Sequence, residues 1–168
     1  MSRSALTALA AMAFAVPTAH AQDGPAILVP DQIGQIFCLA RLGNDMAPVE
    51  ALLTPDLAGA IEEALYRDSE IAAMHPDEKP PLGDGIPWQT YQDYAAECTV
   101  KQVSYEMDEA RVWIDYGFPE APDANFTDTL HLKLIGGPQG WNVWRLDNIS
   151  FAANGDLRTS LVMAFMEN

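Results

Sequence analysis

The chain has 168 residues, with 24 Asp and Glu against 9 Lys and Arg, for a formal net charge of −15. That balance excludes nucleic-acid binding through a basic footprint, since neutralising phosphates needs clustered cations. It favours solubility and attracts cationic partners.

Residues 1–21 predict a cleaved secretory signal. Arg3 supplies the positive start, residues 4–16 are apolar or small, Pro17 breaks the helix, and Ala19-His20-Ala21 fits the signal-peptidase rule. The apolar run is shorter than the roughly 20 residues that cross a bilayer. Cleavage after Ala21 leaves 147 residues, enough for one domain over 22–168. It removes Arg3, the leader's single charged side chain, and takes the net charge to −16. No later segment is apolar enough to span a membrane. The alanine-rich leader is of a bacterial kind, so the expected location is the periplasm or the exterior.

Asp31 is placed to cap a first helix in which Ile33, Ile36, Phe37 and Ala40 follow the i, i+3, i+4, i+7 spacing, with Gly43-Asn44 ending it. A short helix is expected over 47–53. Thr54-Pro55-Asp56 then combines an N-cap, a first-turn proline and an acid, and predicts a helix to about Met74 with Leu57, Ile61 and Leu65 as its buried stripe. Residues 75–88 hold four prolines and two glycines and read as a long loop. Short helical turns are expected over 89–97.

From Thr99 the period changes to two. Residues 99–107 and 110–117 form a hairpin, 118–125 a proline-containing loop, and 126–135 with 141–151 a second pair of strands across Gly136–Gly140. Asp156 caps a last helix over 157–166. Helices followed by an antiparallel meander make an α+β fold of about four strands. If the sheet curves, the helices and sheet together form a cone.

In an oxidising compartment Cys38 and Cys98 predict a disulfide. A reactive Cys–His nucleophile is the alternative. Past the leader only His75 and His131 remain, and neither is spaced with the cysteines as a zinc site requires. No metal and no cofactor are expected.

Three stretches carry a family resemblance: LLTPDLAGAIEEA (52–64), YQDYAAECTV (91–100) and GWNVWRLDNISF with GDLRTSL near the end. With them the chain resembles the nuclear transport factor 2-like superfamily, in a branch of exported bacterial proteins, over about residues 36–165. The resemblance implies a cone-shaped α+β domain. The superfamily includes ketosteroid isomerases, dehydratases and cyclases beside non-catalytic binding domains, so fold alone assigns no reaction.

An isomerase needs a carboxylate base and an acidic hydrogen-bond donor in one apolar cavity. Asp115, Tyr116, Asp147, His131 and Tyr105 are the available groups, but strand neighbours Asp115 and Tyr116 point to opposite faces. No catalytic residue is therefore carried over. His131 falls on the polar face of TDTLHLKL as a solvated or hydrogen-bonded residue. Arg145 and Asp147 share parity. They form either a carboxylate-binding fork or a cross-strand ion pair with Asp115 or a neighbour. Trp88, Tyr91, Asp93 and Tyr94 beside the loop either rim a cavity mouth or staple the loop down. The tryptophans are expected to fill the core.

The expected function is a non-catalytic binding domain of the bacterial cell envelope. Its ligand is a small molecule in the cone or a cationic envelope protein, as in an acidic inhibitor or immunity protein, and a homodimer is compatible with it. The alternative is a small-molecule isomerase or dehydratase using a carboxylate in the cone cavity.

Overall fold

The computed structural model describes residues 27–91, 93–137 and 140–166. The leader expected at 1–21 lies outside the described residues. Three helices come first: α1 (Pro30–Gly43), α2 (Ala47–Glu50) and α3 (Pro55–Met74). Four strands follow, β1 (Glu97–Glu106), β2 (Glu109–Gly117), β3 (Phe126–Gly136) and β4 (Asn142–Ser150), and then α4 (Leu157–Met163). The strands pair in chain order as one antiparallel meander. The α+β order read from the sequence is the one observed. The sheet is not strongly curled.

Local chemistry explains most boundaries. Pro30 rather than Asp31 opens α1, because proline lacks only a donor that the first turn leaves unused. Asp31 falls inside the first turn, where a carboxylate suits the helix dipole, and Gln32 reaches back to accept from the Val29 N–H at 3.0 Å. Asn44 ends α1 in the left-handed conformation. Thr54 caps α3 by accepting from Leu57 N, and Asp156 caps α4 by accepting from Thr159 N.

The helices cover one face of the sheet. Ile33 and Phe37 of α1 and Leu57 and Ile61 of α3 pack with Val112, Ile114, Leu130, Leu132, Leu146 and Ile149 of the strands. On α3 the buried stripe turns through Ala64, whereas Leu65 is 45% exposed. Among the described residues of 89–97 no helical turn is formed; the Gln89 side chain donates instead to the carbonyls of Tyr91 and Asp93. Asp68 of α3 holds the long loop by accepting from Leu82 N at 2.6 Å. No helix among the described residues is long and apolar enough to cross a membrane.

Two bulges interrupt the ladders. On β1 the extra residue is Lys101, between Val100 and Gln102. On β4 it is Asp147: Leu146 faces Leu132 and Asn148 faces His131. Asp147 thus swings off the sheet while Leu146 and Ile149 on either side both stay in the core. The outer side of β4 is engaged by the segment before α3, through Thr54 N to Leu146 O and Leu146 N to Leu52 O, both 2.8 Å.

Cys38 of α1 and Cys98 of β1 form a disulfide with Cα atoms 5.2 Å apart and a sequence separation of 60. Closing a loop of that length stabilises the fold by about 4 kcal/mol. The double substitution of Cys38 and Cys98 by Ala is expected to lower the unfolding free energy by about that amount. Chemical denaturation followed by circular dichroism measures it, and an unchanged midpoint would contradict the assignment.

Candidate functional site

Two groups of polar side chains stand out, one inside and one outside. The inner group lies between sheet and helices. Asp128 of β3 is fully buried. Its carboxylate accepts from Thr90 N at 2.8 Å, from the Thr90 hydroxyl and from Ala152 N at 2.9 Å. Burial pushes its carboxyl above the ordinary range, and those hydrogen bonds only partly offset the rise. Its work is to fasten two loop segments to β3.

Tyr116 of β2 is 1% exposed, and its hydroxyl has no partner among the described residues. Burial raises the phenol far above its ordinary value, the charge of Asp128 adds to this, and Arg41 opposes it. Arg41 donates from Nε to Gln89 at 2.8 Å. The gap bounded by Arg41, Gln89, Tyr94 and Tyr116 leaves no room for a water molecule. A carboxyl and a phenol of the kind an isomerase uses are both present, without space for a substrate beside them.

The outer group lies on the face of the sheet that no helix covers. Register places its side chains in rows across the strands. Thr99, Asp115 and Thr127 form one row, and Gln102, Trp113, Thr129 and Ser150 the next. Ser104, Arg111, His131 and Asn148 follow, then Glu106, Glu109, Lys133 and Arg145. A groove of about 350 Å³ opens at the Asp115 end, lined also by Lys101 and Thr127. A second, of about 450 Å³, opens at the His131 end.

In the second groove His131 Nε2 lies 2.7 Å from Ser150 Oγ. Burial, then the charge of Arg111, hold the imidazole below its ordinary pKa, against the opposing pull of Glu109, Asp147 and Asp156. A neutral imidazole beside a serine hydroxyl is half of a nucleophile-activating set. The third member is not supplied by the carboxylates nearby. Asp147 accepts from Thr54 Oγ1 at 2.9 Å and pairs with Lys133 at 2.9 Å and Arg158 at 2.8 Å. Burial raises Asp147, but the bonds from Lys133 and Thr54 and the charge of Arg158 outweigh it and leave the carboxyl below the ordinary range. Asp156 is engaged by Thr159 and Asn148. His131 and Ser150 are therefore a hydrogen-bonded pair within a polar groove.

The residues singled out in the sequence are scattered. Trp88 is buried and staples the loop to the core. Tyr91 is half exposed and meets Phe126 edge-on at 5.2 Å. Asp93 is exposed, and its carbonyl rather than its carboxylate is engaged. Tyr94 is 63% exposed at the rim of the inner gap. Arg145 does not pair with Asp147: its guanidinium donates to Trp144 O, and Asp147 joins α3, β3 and α4 instead. Asp115 pairs with Lys101 at 3.1 Å. Trp141 lies 53% exposed at the β3–β4 turn rather than in the core.

Two features escaped the sequence reading. The parity that turns Thr127, Thr129, His131 and Lys133 outward turns Asp128 inward with Leu130, a signal that was legible in TDTLHLKL. Trp113 alternates with core residues Val112 and Ile114 and so projects from the helix-free face. No family model, curated protein or solved structure matches the chain.

Two measurements test this account. His131 is held below its ordinary pKa, so the unfolded chain takes up a proton first as the pH falls. Stability is unaffected above about pH 6.5 and declines as the pH drops from there through the folded value. Melting curves between about pH 7.5 and 5.5 are expected to show a smaller decline for His131→Gln than for the wild type. Tyr116→Phe removes a buried hydroxyl that has no partner, and is expected to raise the unfolding free energy by about 1 kcal/mol. A loss of that size in urea denaturation would mean the hydroxyl is bonded.

Proposed function

We propose that this chain is an exported, non-catalytic binding domain that takes its ligand on the helix-free face of its sheet. One observation carries the reading: that face holds two open polar grooves flanking one outward tryptophan, while the helix-covered face is filled with side chains. Grooves lined by convergent polar groups around an apolar surface are where ligands bind. The disulfide supports export, since such bonds persist in oxidising compartments. The resemblance to nuclear transport factor 2-like proteins supports a binding role in the sense that this superfamily contains many such domains. Most of the surplus negative charge lies away from this face, where it is available to steer a cationic envelope protein.

A second reading, isomerase-type chemistry, is favoured by the buried Asp128 carboxyl and the Tyr116 phenol. It requires the 89–95 segment to lift away and open a cavity.

Amide shift mapping with a library of small polar fragments separates the two. Perturbations are expected at Arg111, Trp113, Thr129 and His131. Perturbations confined to Arg41, Gln89 and Tyr94 would overturn the binding-face reading in favour of the interior.

A further inference from the structure

Trp113 is the least explained side chain of the helix-free face. It stands in the row between the two grooves, flanked by Gln102 on β1 and Thr129 on β3. Along β2, Asp115 lines one groove and Arg111 the other. From Asp115 to Arg111 the strand runs about 13 Å, so a ligand that used both grooves would be longer than one sugar ring and would cross the indole.

Charge decides the class of ligand. Lys101 is paired with Asp115, Lys133 with Asp147, and Glu109 stands opposite Lys133. Six carboxylates (Glu97, Glu106, Glu109, Asp115, Asp147 and Asp156) stand against four cations (Lys101, Arg111, Lys133 and Arg145), a slight acidic excess in which Asp115, Asp147 and Asp156 are already engaged by neighbouring side chains, although the chain as a whole is strongly acidic. A ligand of high charge of either sign would gain little from one half of this set and be repelled by the other. What remains is a mixed array of donors and acceptors: the Arg111 guanidinium, the His131–Ser150 pair, the Gln102 amide and the Asp115 carboxylate. A vicinal diol presents a donor and an acceptor at each hydroxyl, and planar amide, carboxylate and guanidinium groups match it two atoms at a time. The C–H face of a pyranose is apolar and flat and fits an indole.

We infer that the helix-free face binds a neutral glycan chain lying along β2 and β3, with one pyranose stacked on Trp113 and its neighbours in the two grooves. The inference rests on the binding-face reading above and names its ligand. A glycan partner also suits an exported domain, since polysaccharide is a major component outside the cell membrane.

Purified protein is titrated with soluble neutral oligosaccharides (cellotetraose, maltotetraose and chitotetraose), read by tryptophan fluorescence and amide shifts. At least one is expected to bind, with shifts at Trp113, Thr129 and His131. Trp113→Ala is expected to weaken it by about tenfold or more, as loss of a stacking platform does, while Trp113→Tyr retains most of the affinity. Trp141→Ala, at the far hairpin end, leaves affinity unchanged. Ser150→Ala, which removes one groove hydroxyl without touching the core, weakens binding and guards against a misfolded tryptophan variant. Absence of binding by all three sugars at about 10 mM overturns the glycan inference, as does equal loss in Trp113→Ala and Trp141→Ala. If charged fragments alone shift the face, the glycan inference falls and the binding-face reading stands. If sugars shift only the 89–94 segment, both fall.

Discussion

The close approach of α1 to the sheet governs the rest of the molecule. At Gly34 a Cβ would sit 2.7 Å from a Val112 methyl and 2.8 Å from a Val100 methyl, so any larger residue would force the helix outward. One turn later Cys38 bonds covalently to Cys98 of β1. Next to these two points in the helix, Ile33 and Phe37 are pressed into the strands and buried. The helix therefore lies flat across β1 and β2, that face is committed to packing, and the opposite one is left without a helix.

Asp147 makes a second junction. It is the bulge residue of β4, and three elements converge on it through Thr54 at the start of α3, Lys133 of β3 and Arg158 of α4. Its carboxyl is only partly exposed, so the ion pairs are less screened than those on an open surface. Arg158 also donates from Nε to the Asp147 carbonyl, so α4 is fixed by both backbone and side chain. The result is a rigid floor under the His131 groove, built from a residue whose charge is already spent on the fold.

Most of the architecture was legible in the sequence. Helix starts followed from Thr54, Pro55 and Asp156, and strands from the period-two stretches, because these signals are local. The bulges were not legible. A single extra residue at Asp147 changes which side chains share a face, so the equal parity of Arg145 and Asp147 read from the sequence breaks there, and Asp147 pairs across the strands with Lys133. The end of the α3 stripe also shifted: Ala64 is buried and Leu65 turns outward. The candidate site was less legible than the fold. Trp113 and Asp128 each oppose the usual rule for their type, one apolar residue outside and one charge inside. Composition alone assigns both to the wrong face, and strand parity corrects it.

The bulge at Lys101 has a consequence for how the molecule behaves among copies of itself. β1 is the outermost strand of the sheet, and an outermost strand offers its free amides and carbonyls to any passing chain. Here the ladder is broken between Val100 and Gln102, and the residue at the break is a lysine. An incoming strand could keep register over only one half of β1 before meeting a misplaced backbone and a positive charge. At high protein concentration, that break would guard against runaway fibre growth.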